Sequence, residues 1–464
     1  MALNVTHGAP VGNGVASIVQ RPRRDIDPSP SRMMGAPWWL VALAGIGALA
    51  LGAVVVTLFT AFGRRPGRIE ATAAPPVDHP DFRNALAGLA NAPVLTGGRA
   101  RLLNNGVEIF PALREAIARA RRTIDFMVYI WEPGRASDRL FAALTERARA
   151  GVEVRLLLDG VGGLRVPRAD LDAFRQAGGR VAWFRPVRLG KLARAHRRNH
   201  RRAIVIDGSV GFLGGAAVGD KWLGDAEDEE HWRDVMVRVE GRVAVSLQSA
   251  FAQAWAGSCG EILVGEAFYP TVPPTGGEGE PGRWHVHFVS MPTDEAFVLR
   301  HVYWLSFRCA YQRLWITSPY FVPDARTRAV FADRARRGVD VRLLLPDHHT
   351  DAKPIRQASH KYFDELLASG VKIYEYQGTM LHAKLVVVDG RWSLVGSANT
   401  DVRSKELNAE NVMGILDEDF ARQLEATFLE DLRRARPIER AAWRRRPRTK
   451  GWVENFWGLF AEQY

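Results

Sequence analysis

Residues 381–411, LHAKLVVVDGRWSLVGSANTDVRSKELNAEN, decide the fold of this chain. His382 and Lys384 stand two apart, so on an extended segment they project from one face. Leu385 to Val388 is an apolar, β-branched run that predicts a buried strand, and Asp389-Gly390 predicts the turn that ends it. Gly396-Ser397-Ala398-Asn399 and then Glu410 follow. A buried strand thereby delivers an imidazole and an ammonium side by side at its mouth. That arrangement suits a phosphodiester, with one group attacking or donating a proton while the other neutralises phosphate oxygens.

The same layout occurs 182 positions earlier: His200-Arg201-Arg202, the run Ala203-Ile204-Val205-Ile206, then Asp207-Gly208 and Gly214-Gly215. Upstream of each copy lies a matching block, AGVEVRLLL (150–158) and RGVDVRLLL (337–345). A duplicated unit of domain length accounts for that register. With both copies in view, the sequence resembles the phospholipase D superfamily and, within it, the bacterial cardiolipin synthases. The resemblance is carried by NHRRAIVIDG (199–208), WRD (232–234), LHAKLVVVDG (381–390), GSAN (396–399) and DVRSKELNAE (401–410), and it extends over roughly residues 100 to 435.

The resemblance implies an α/β fold of two pseudo-twofold-related α/β/α repeats around a shared central cleft. It also implies a reaction in which one motif histidine attacks phosphorus to give a phosphohistidine. The other protonates the leaving alkoxide and then deprotonates the incoming alcohol. By that analogy His200 is the nucleophile and His382 the general acid/base, with an exchange of roles left open. Arg202, Lys384, Asn399 and Ser397 would hold the phosphate, and no metal or other cofactor is implied. The family places a carboxylate some thirty residues beyond each histidine, and Asp234 and Glu410 stand 34 and 28 beyond. Each would fix a tautomer and steady an imidazolium. Asp207 and Asp389 complete the two motifs, but their place at the Asp-Gly turns predicts a structural role.

The first copy departs from the pattern twice. Arg202 stands where the family has lysine, and Ala217 where the family has the asparagine that Asn399 supplies in the second copy. The chain holds 8 Lys against 55 Arg, a bias under which a lysine-to-arginine exchange is expected and a retained Lys384 is telling. Arginine keeps the charge but replaces a point charge by a planar fork. Ala217 removes a phosphate donor, a loss that costs ~10²–10³ in rate in comparable sites.

Bulk properties set wider bounds. A net charge of +12 and a pI of about 10.0 favour anionic partners, whether nucleic acid, acidic lipid or phosphate ester. The two cysteines, Cys259 and Cys309, form no C-x-x-C, so neither a disulfide framework nor a zinc cluster is expected. Taken in order, residues 1–37 predict a flexible basic tail. Residues 38–62 contain no charge over 25 positions, enough to cross ~30 Å of hydrocarbon as a transmembrane helix. That length and the tail before it favour an uncleaved anchor over a signal peptide. Arg21, Arg23, Arg24 and Arg32 on one side and Arg64, Arg65 and Arg68 on the other leave its orientation open.

Residues 63–98 predict a linker and 99–265 the first repeat. Residues 266–290, with Pro270 to Arg283 at their centre, predict a connection that is either a plain linker or a loop bordering the cleft. Residues 291–440 predict the second repeat. Alternating helical and strand patterns in both repeats predict mostly parallel sheets with helices on their faces. In 441–464, Trp452, Phe456, Leu459 and Phe460 recur at helical spacing beside RRRPRTK. This reads as a membrane-interfacial helix or as an element packed on the body.

The expected protein is therefore a phosphatidyltransferase held by one N-terminal anchor in a bacterial inner membrane, with its facing side open. Its partners would be the membrane and phospholipids: phosphatidylglycerol as acceptor, and the same or a second phospholipid as donor. Three rivals stand beside it. A hydrolytic phospholipase D differs only in using water, and a nucleic-acid phosphodiesterase is disfavoured by membrane-seeking segments at both ends. A lipid-binding protein with a decayed first motif is the third. The sequence does not give the oligomeric state.

Overall fold

The computed structural model describes residues 37–61, 69–186, 197–271, 283–291 and 297–460. The expected basic tail, Arg64, Arg65 and Arg68, and the connection from 272 to 282 lie outside them. Two compact units divide between residues 65 and 66. The first holds helix α1 (Trp38–Ala61), whose described side chains are exposed. Those side chains are described only from 37 to 52, and among the described residues no helix is long and apolar enough to cross a membrane.

The second unit opens with α2 (Pro80–Ala90). The first repeat then runs β1 (Arg99–Asn104), α3 (Asn105–Arg119), β2 (Thr123–Val128), α4 (Arg135–Arg149), β3 (Glu153–Asp159), α5 (Arg168–Gln176) and β4 (Arg180–Phe184). It closes with β5 (Ala203–Ile206), β6 (Val210–Gly214), β7 (Val235–Glu240) and α6 (Arg242–Cys259). The second repeat begins β8 (Trp284–Val289), α7 (Val298–Arg308), β9 (Arg313–Thr317), β10 (Phe321–Val322), α8 (Ala325–Arg336) and β11 (Asp340–Pro346). Next come α9 (Lys353–His360), α10 (Phe363–Ala368) and β12 (Lys372–Tyr376). The motif strands β13 (Leu385–Val388), β14 (Trp392–Gly396), β15 (Thr400–Asp401), α11 (Val402–Glu406) and β16 (Asn411–Leu416) follow. The chain ends with α12 (Glu418–Arg433), β17 (Ala435–Pro437), α13 (Arg440–Arg444) and α14 (Arg448–Gly458).

The two large sheets, ordered β1-β7-β6-β5-β2-β3-β4 and β17-β12-β11-β9-β13-β14-β16-β8, are mixed, which corrects the expectation of mostly parallel pairing. Only β2-β3-β4 and β9-β11-β12 run parallel. Helical crossovers produce those segments, whereas the motif strands turn back at once. Asp207-Gly208 and Asp389-Gly390 all have positive φ, the conformation of the central pair of a tight hairpin turn, and they turn β5-β6 and β13-β14 into antiparallel pairs.

Both aspartates also reach beyond their own turns. Asp207 accepts the backbone amides of Arg121, Arg122 and Thr123, and Asp389 those of Tyr311, Gln312 and Arg313. Each thereby pins the entry of the neighbouring parallel strand, which keeps it away from the histidine of its motif.

The inner faces of the two sheets share one core. Val205, Leu213 and Val237 of the first repeat meet Val387, Val395 and Met413 of the second, together with Phe251 of α6 and Leu424 of α12. That common core holds the two motif strands in fixed relation.

Buried imidazoles make the fold sensitive to acid. Burial lowers His285, His287 and His382 to about 4 from an ordinary 6.5. Between those values the unfolded chain binds protons that the folded chain refuses, so stability falls as pH falls, by up to ~1.4 kcal/mol per pH unit for each group. Asp125, raised by burial to about 6, opposes one of the three. Urea titration of the detergent-solubilised chain should show a midpoint that falls from pH 7 to pH 5. His287→Gln should flatten that dependence, whatever it does to the midpoint at pH 7.

Candidate active site

Short stretches of parallel backbone join the two repeats at the ends of their motif strands. Asn199 pairs with Ala409, and Arg233 pairs with Leu381. The His200 amide donates to Ala409 O (2.8 Å), and the Ala409 amide to Arg198 O (2.9 Å). In the second seam the His382 amide donates to Arg233 O (2.7 Å), and the Arg233 amide to Met380 O (2.9 Å). Each histidine is therefore fixed beside the residue that precedes the other repeat's carboxylate.

The side chains follow. His382 Nδ1 lies 2.6 Å from Asp234 Oδ2, and His200 Nδ1 lies 3.3 Å from Glu410 Oε1. Linear spacing assigned Asp234 to His200 and Glu410 to His382; the structure exchanges them. Spacing along one repeat carries no information about a seam between two repeats, which is why the sequence misassigned the partners.

Asp234 is buried and held from three sides. Besides His382, it accepts Trp222 Nε1 on Oδ2 (3.0 Å) and the Val235 amide on Oδ1 (2.8 Å). Gly215 lets it come this close, because a Cβ there would stand 2.1 Å from Asp234 Oδ1. Burial pushes the Asp234 carboxyl up, but His382, its hydrogen bond and Lys384 outweigh that and hold it below the usual range. Glu410 is also buried and takes Ser397 Oγ on Oε2 (2.5 Å). Ser397 accepts the Asn411 amide as well (3.0 Å), so it positions Glu410, whereas the sequence assigned it to phosphate.

The cations repeat one geometry. Arg202 Nη1 donates to His200 O (2.6 Å) and Lys384 Nζ to His382 O (2.5 Å). Lys384 Nζ also lies 3.1 Å from both ring nitrogens of His382. Burial pushes Lys384 down to about 7, with Asp234 opposing and Arg202 adding to the shift. Burial lowers Arg202 too, opposed by Glu410 and Asp234. One guanidinium thus feels carboxylates from both repeats, and its charge also helps keep His382 unprotonated. The two half-sites form one electrostatic unit, with both cations buried where a phosphodiester's charge is strongly felt.

Four neighbours went unread in the sequence. The Tyr129 ring lies 4.2 Å from that of His200, and Asn408 Nδ2 lies 3.3 Å from His200 Nδ1. Trp222 and Trp232 flank His382, with ring centroids at 5.8 and 5.3 Å. Asn408 and Trp232 sit inside motif stretches, so proximity in sequence was a usable signal for them. Nothing in the local pattern marks Tyr129 or Trp222.

Comparison with known proteins places this geometry. A family model described as "Cardiolipin synthase, PLD-like domain" matches residues 113–255 and 306–432, one match in each repeat. The chain belongs to the cardiolipin synthase family. It is 38% identical over 357 residues to a cardiolipin synthase of Geobacillus thermodenitrificans (strain NG80-2), covering 76% of this chain and 70% of the relative. To cardiolipin synthase A of Pseudomonas fluorescens (strain SBW25) it is 36% identical over 386 residues, covering 82% and 78%. Among solved structures, phosphatidylserine synthase of Haemophilus influenzae Rd KW20 aligns with a TM-score of 0.66 at 15% identity, covering 82% of this chain and 99% of that one; the likeness is one of fold.

Cardiolipin synthases are phospholipase D-type phosphatidyltransferases, and the two departures of the first motif bear on that chemistry. Arg202 occupies the place of Lys384 in its own half-site and makes the equivalent bond to the motif histidine's carbonyl. Ala217 is buried in the outer core of the first repeat. Its counterpart Asn399 donates one amide hydrogen to Ser404 Oγ (3.1 Å), while its Oδ1 is buried with no hydrogen-bond partner among the described residues. Losing asparagine at 217 therefore removes an amide whose counterpart is already tied within its own repeat.

Proposed function

We propose that this chain joins two phosphatidylglycerol molecules into cardiolipin, with His200 as nucleophile and His382 as proton carrier. His200 Nε2 attacks phosphorus; the bond from phosphorus to the glycerol headgroup oxygen breaks, and His382 supplies the proton that glycerol carries away. A second phosphatidylglycerol then gives its headgroup hydroxyl proton to His382, and its oxygen displaces the histidine. Bonds and protons balance over the two steps without any redox partner.

The exchanged histidine–carboxylate pairs carry this reading, because each joins a group of one repeat to a group of the other, and the Arg202 charge is felt by carboxylates of both. Two observations assign the roles. Among the described residues none bonds His200 Nε2, while Glu410 and Asn408 both face Nδ1, which leaves Nε2 free to attack. His382 has both ring nitrogens engaged by Asp234 and Lys384. Burial and the Lys384 charge favour its neutral form in the free protein. An anionic phosphate placed between Arg202 and Lys384 favours its protonated form, so the acid is armed as substrate arrives. The charge-free segment 38–62 supports a membrane anchor that keeps this site at the bilayer surface, where the scissile bond lies.

Lipid mass spectrometry tests the reading. A host lacking other synthases should accumulate cardiolipin when it expresses the chain, and the purified protein should release free glycerol from phosphatidylglycerol. Phosphatidic acid as the main product would make the enzyme a hydrolase. Cleavage of single-stranded DNA with lipid left untouched would overturn the substrate assignment.

A further inference from the structure

The C-terminal helix α14 has two different faces. Glu454, 5% exposed, points into the body, takes Arg446 Nη1 at 2.7 Å and lies 3.8 Å from His360 Nδ1. Gly458 faces the same way, and a Cβ there would stand 2.8 Å from the Lys361 side chain. His360 and Phe363 pack against Trp443, whose ring the Arg446 guanidinium covers. The helix is therefore docked on its inner side by a buried carboxylate. Its outer side shows Trp452 (77% exposed), Val453, Phe456 and Leu459 (67%), with nothing among the described residues over them. Arg444, Arg445 and Lys450 stand exposed beside this stripe.

The position of α14 links it to the site. It packs along α9, and α9 packs on β10, whose partner β15 follows Asn399 directly. The loop entering α9 carries Asp351, which accepts Tyr320 Oη at 2.7 Å and whose charge reaches Lys384. On the first repeat, exposed Val161 and Leu164 leave the end of β3. They follow Asp159, whose carboxylate takes the Asn199 amide (3.0 Å) beside His200. Exposed apolar side chains thus lie next to the entry loops of both half-sites.

We propose that the outer face of α14, with Arg444, Arg445 and Lys450, docks on the surface of an anionic phospholipid bilayer and holds the body against it. An aromatic stripe beside fixed positive charges matches an interface of acyl chains under anionic headgroups. A protein partner would have to match the charge as well, and a second copy of this strongly basic chain would repel it. The inference rests on the phosphatidylglycerol reading only for the sign of the surface.

The test uses the full chain with Cys259→Ser and Trp452→Cys, labelled with an environment-sensitive fluorophore. Cys309 is buried, with its thiol pushed up to about 12, and stays unlabelled. In phosphatidylglycerol vesicles the label should shift to the blue and resist iodide quenching, and in phosphatidylcholine vesicles it should do neither. The triple variant Trp452→Ser, Phe456→Ser, Leu459→Ser should lose at least tenfold in activity on bilayer substrate and keep its activity in mixed micelles.

Equal quenching in both vesicles would overturn the proposal. So would protection that follows protein concentration instead of lipid, which would indicate a second copy, or an equal loss of activity in micelles. If the unsubstituted chain formed no cardiolipin while the label still entered anionic vesicles, the substrate reading would fail and the docking surface would stand.

Discussion

Replacing His200 with alanine should lower phosphatidyl transfer by ~10⁵-fold or more, because the proposed covalent route then loses its nucleophile. His382→Ala leaves the nucleophile but removes the proton carrier, a loss of ~10²–10⁴. The two variants should differ in kind. The His382 variant should regain rate on a substrate whose leaving group needs no proton, such as a phosphatidyl p-nitrophenol, and the His200 variant should not. Initial rates of release of the two leaving groups by both variants measure this. Equal rescue of both would make the histidines interchangeable and remove the assigned roles. Near-normal cardiolipin from either variant would reject the two-histidine mechanism.

Asp234→Asn should lower transfer by ~10³–10⁴ with the fold intact. Asparagine keeps the volume, but its single carbonyl oxygen can accept from only one of Trp222 and Val235, and it cannot steady an imidazolium on His382. The carboxylate raises the pKa of His382 against the larger lowering by burial and Lys384, so its removal should lower that pKa further. NMR titration of ring-labelled histidine checks the sign. It also tests the exchange between repeats, because Asp234→Asn should move the signal of His382 and leave that of His200 in place. Glu410→Gln should do the reverse. A shift of His200 in the Asp234 variant would restore the pairing within each repeat that linear spacing suggests.

Much of this arrangement was legible before any coordinates. The apolar run between His382 and Asp389 is β13 at its expected bounds, and the repeated block around Val154 and Val341 marks β3 and β11, each one strand removed from the motif strand of its half. The structure sets His382 with Asp234 and Lys384, and His200 with Glu410, since short motifs at the ends of buried strands leave their side chains little freedom.

What could not be read was relation across the duplication. The exchange of carboxylates depends on the seams at Asn199–Ala409 and Arg233–Leu381, which pair residues some two hundred or some one hundred and fifty apart along the chain. Strand direction was misjudged because helical crossovers dominate the pattern, while the Asp-Gly turns that reverse the motif strands occupy two residues each. Ser397 was read as a phosphate ligand for a related reason: a hydroxyl beside a conspicuous asparagine looks like a donor, and only the fold shows it bonded to Glu410. The aromatic tail was read two ways; one face of α14 packs on the body, and among the described residues the other is uncovered.

The central claim is that one phosphorus centre is shared by two imidazoles from opposite repeats, with the bond forming on His200. Mass spectrometry of the protein quenched in alkali during turnover of phosphatidylglycerol tests it most directly. A phosphatidyl group on the peptide that contains His200, lost on brief acid treatment and absent from His200→Ala, is the predicted result. The same adduct on His382, or turnover with neither histidine modified at any quench time, would contradict it.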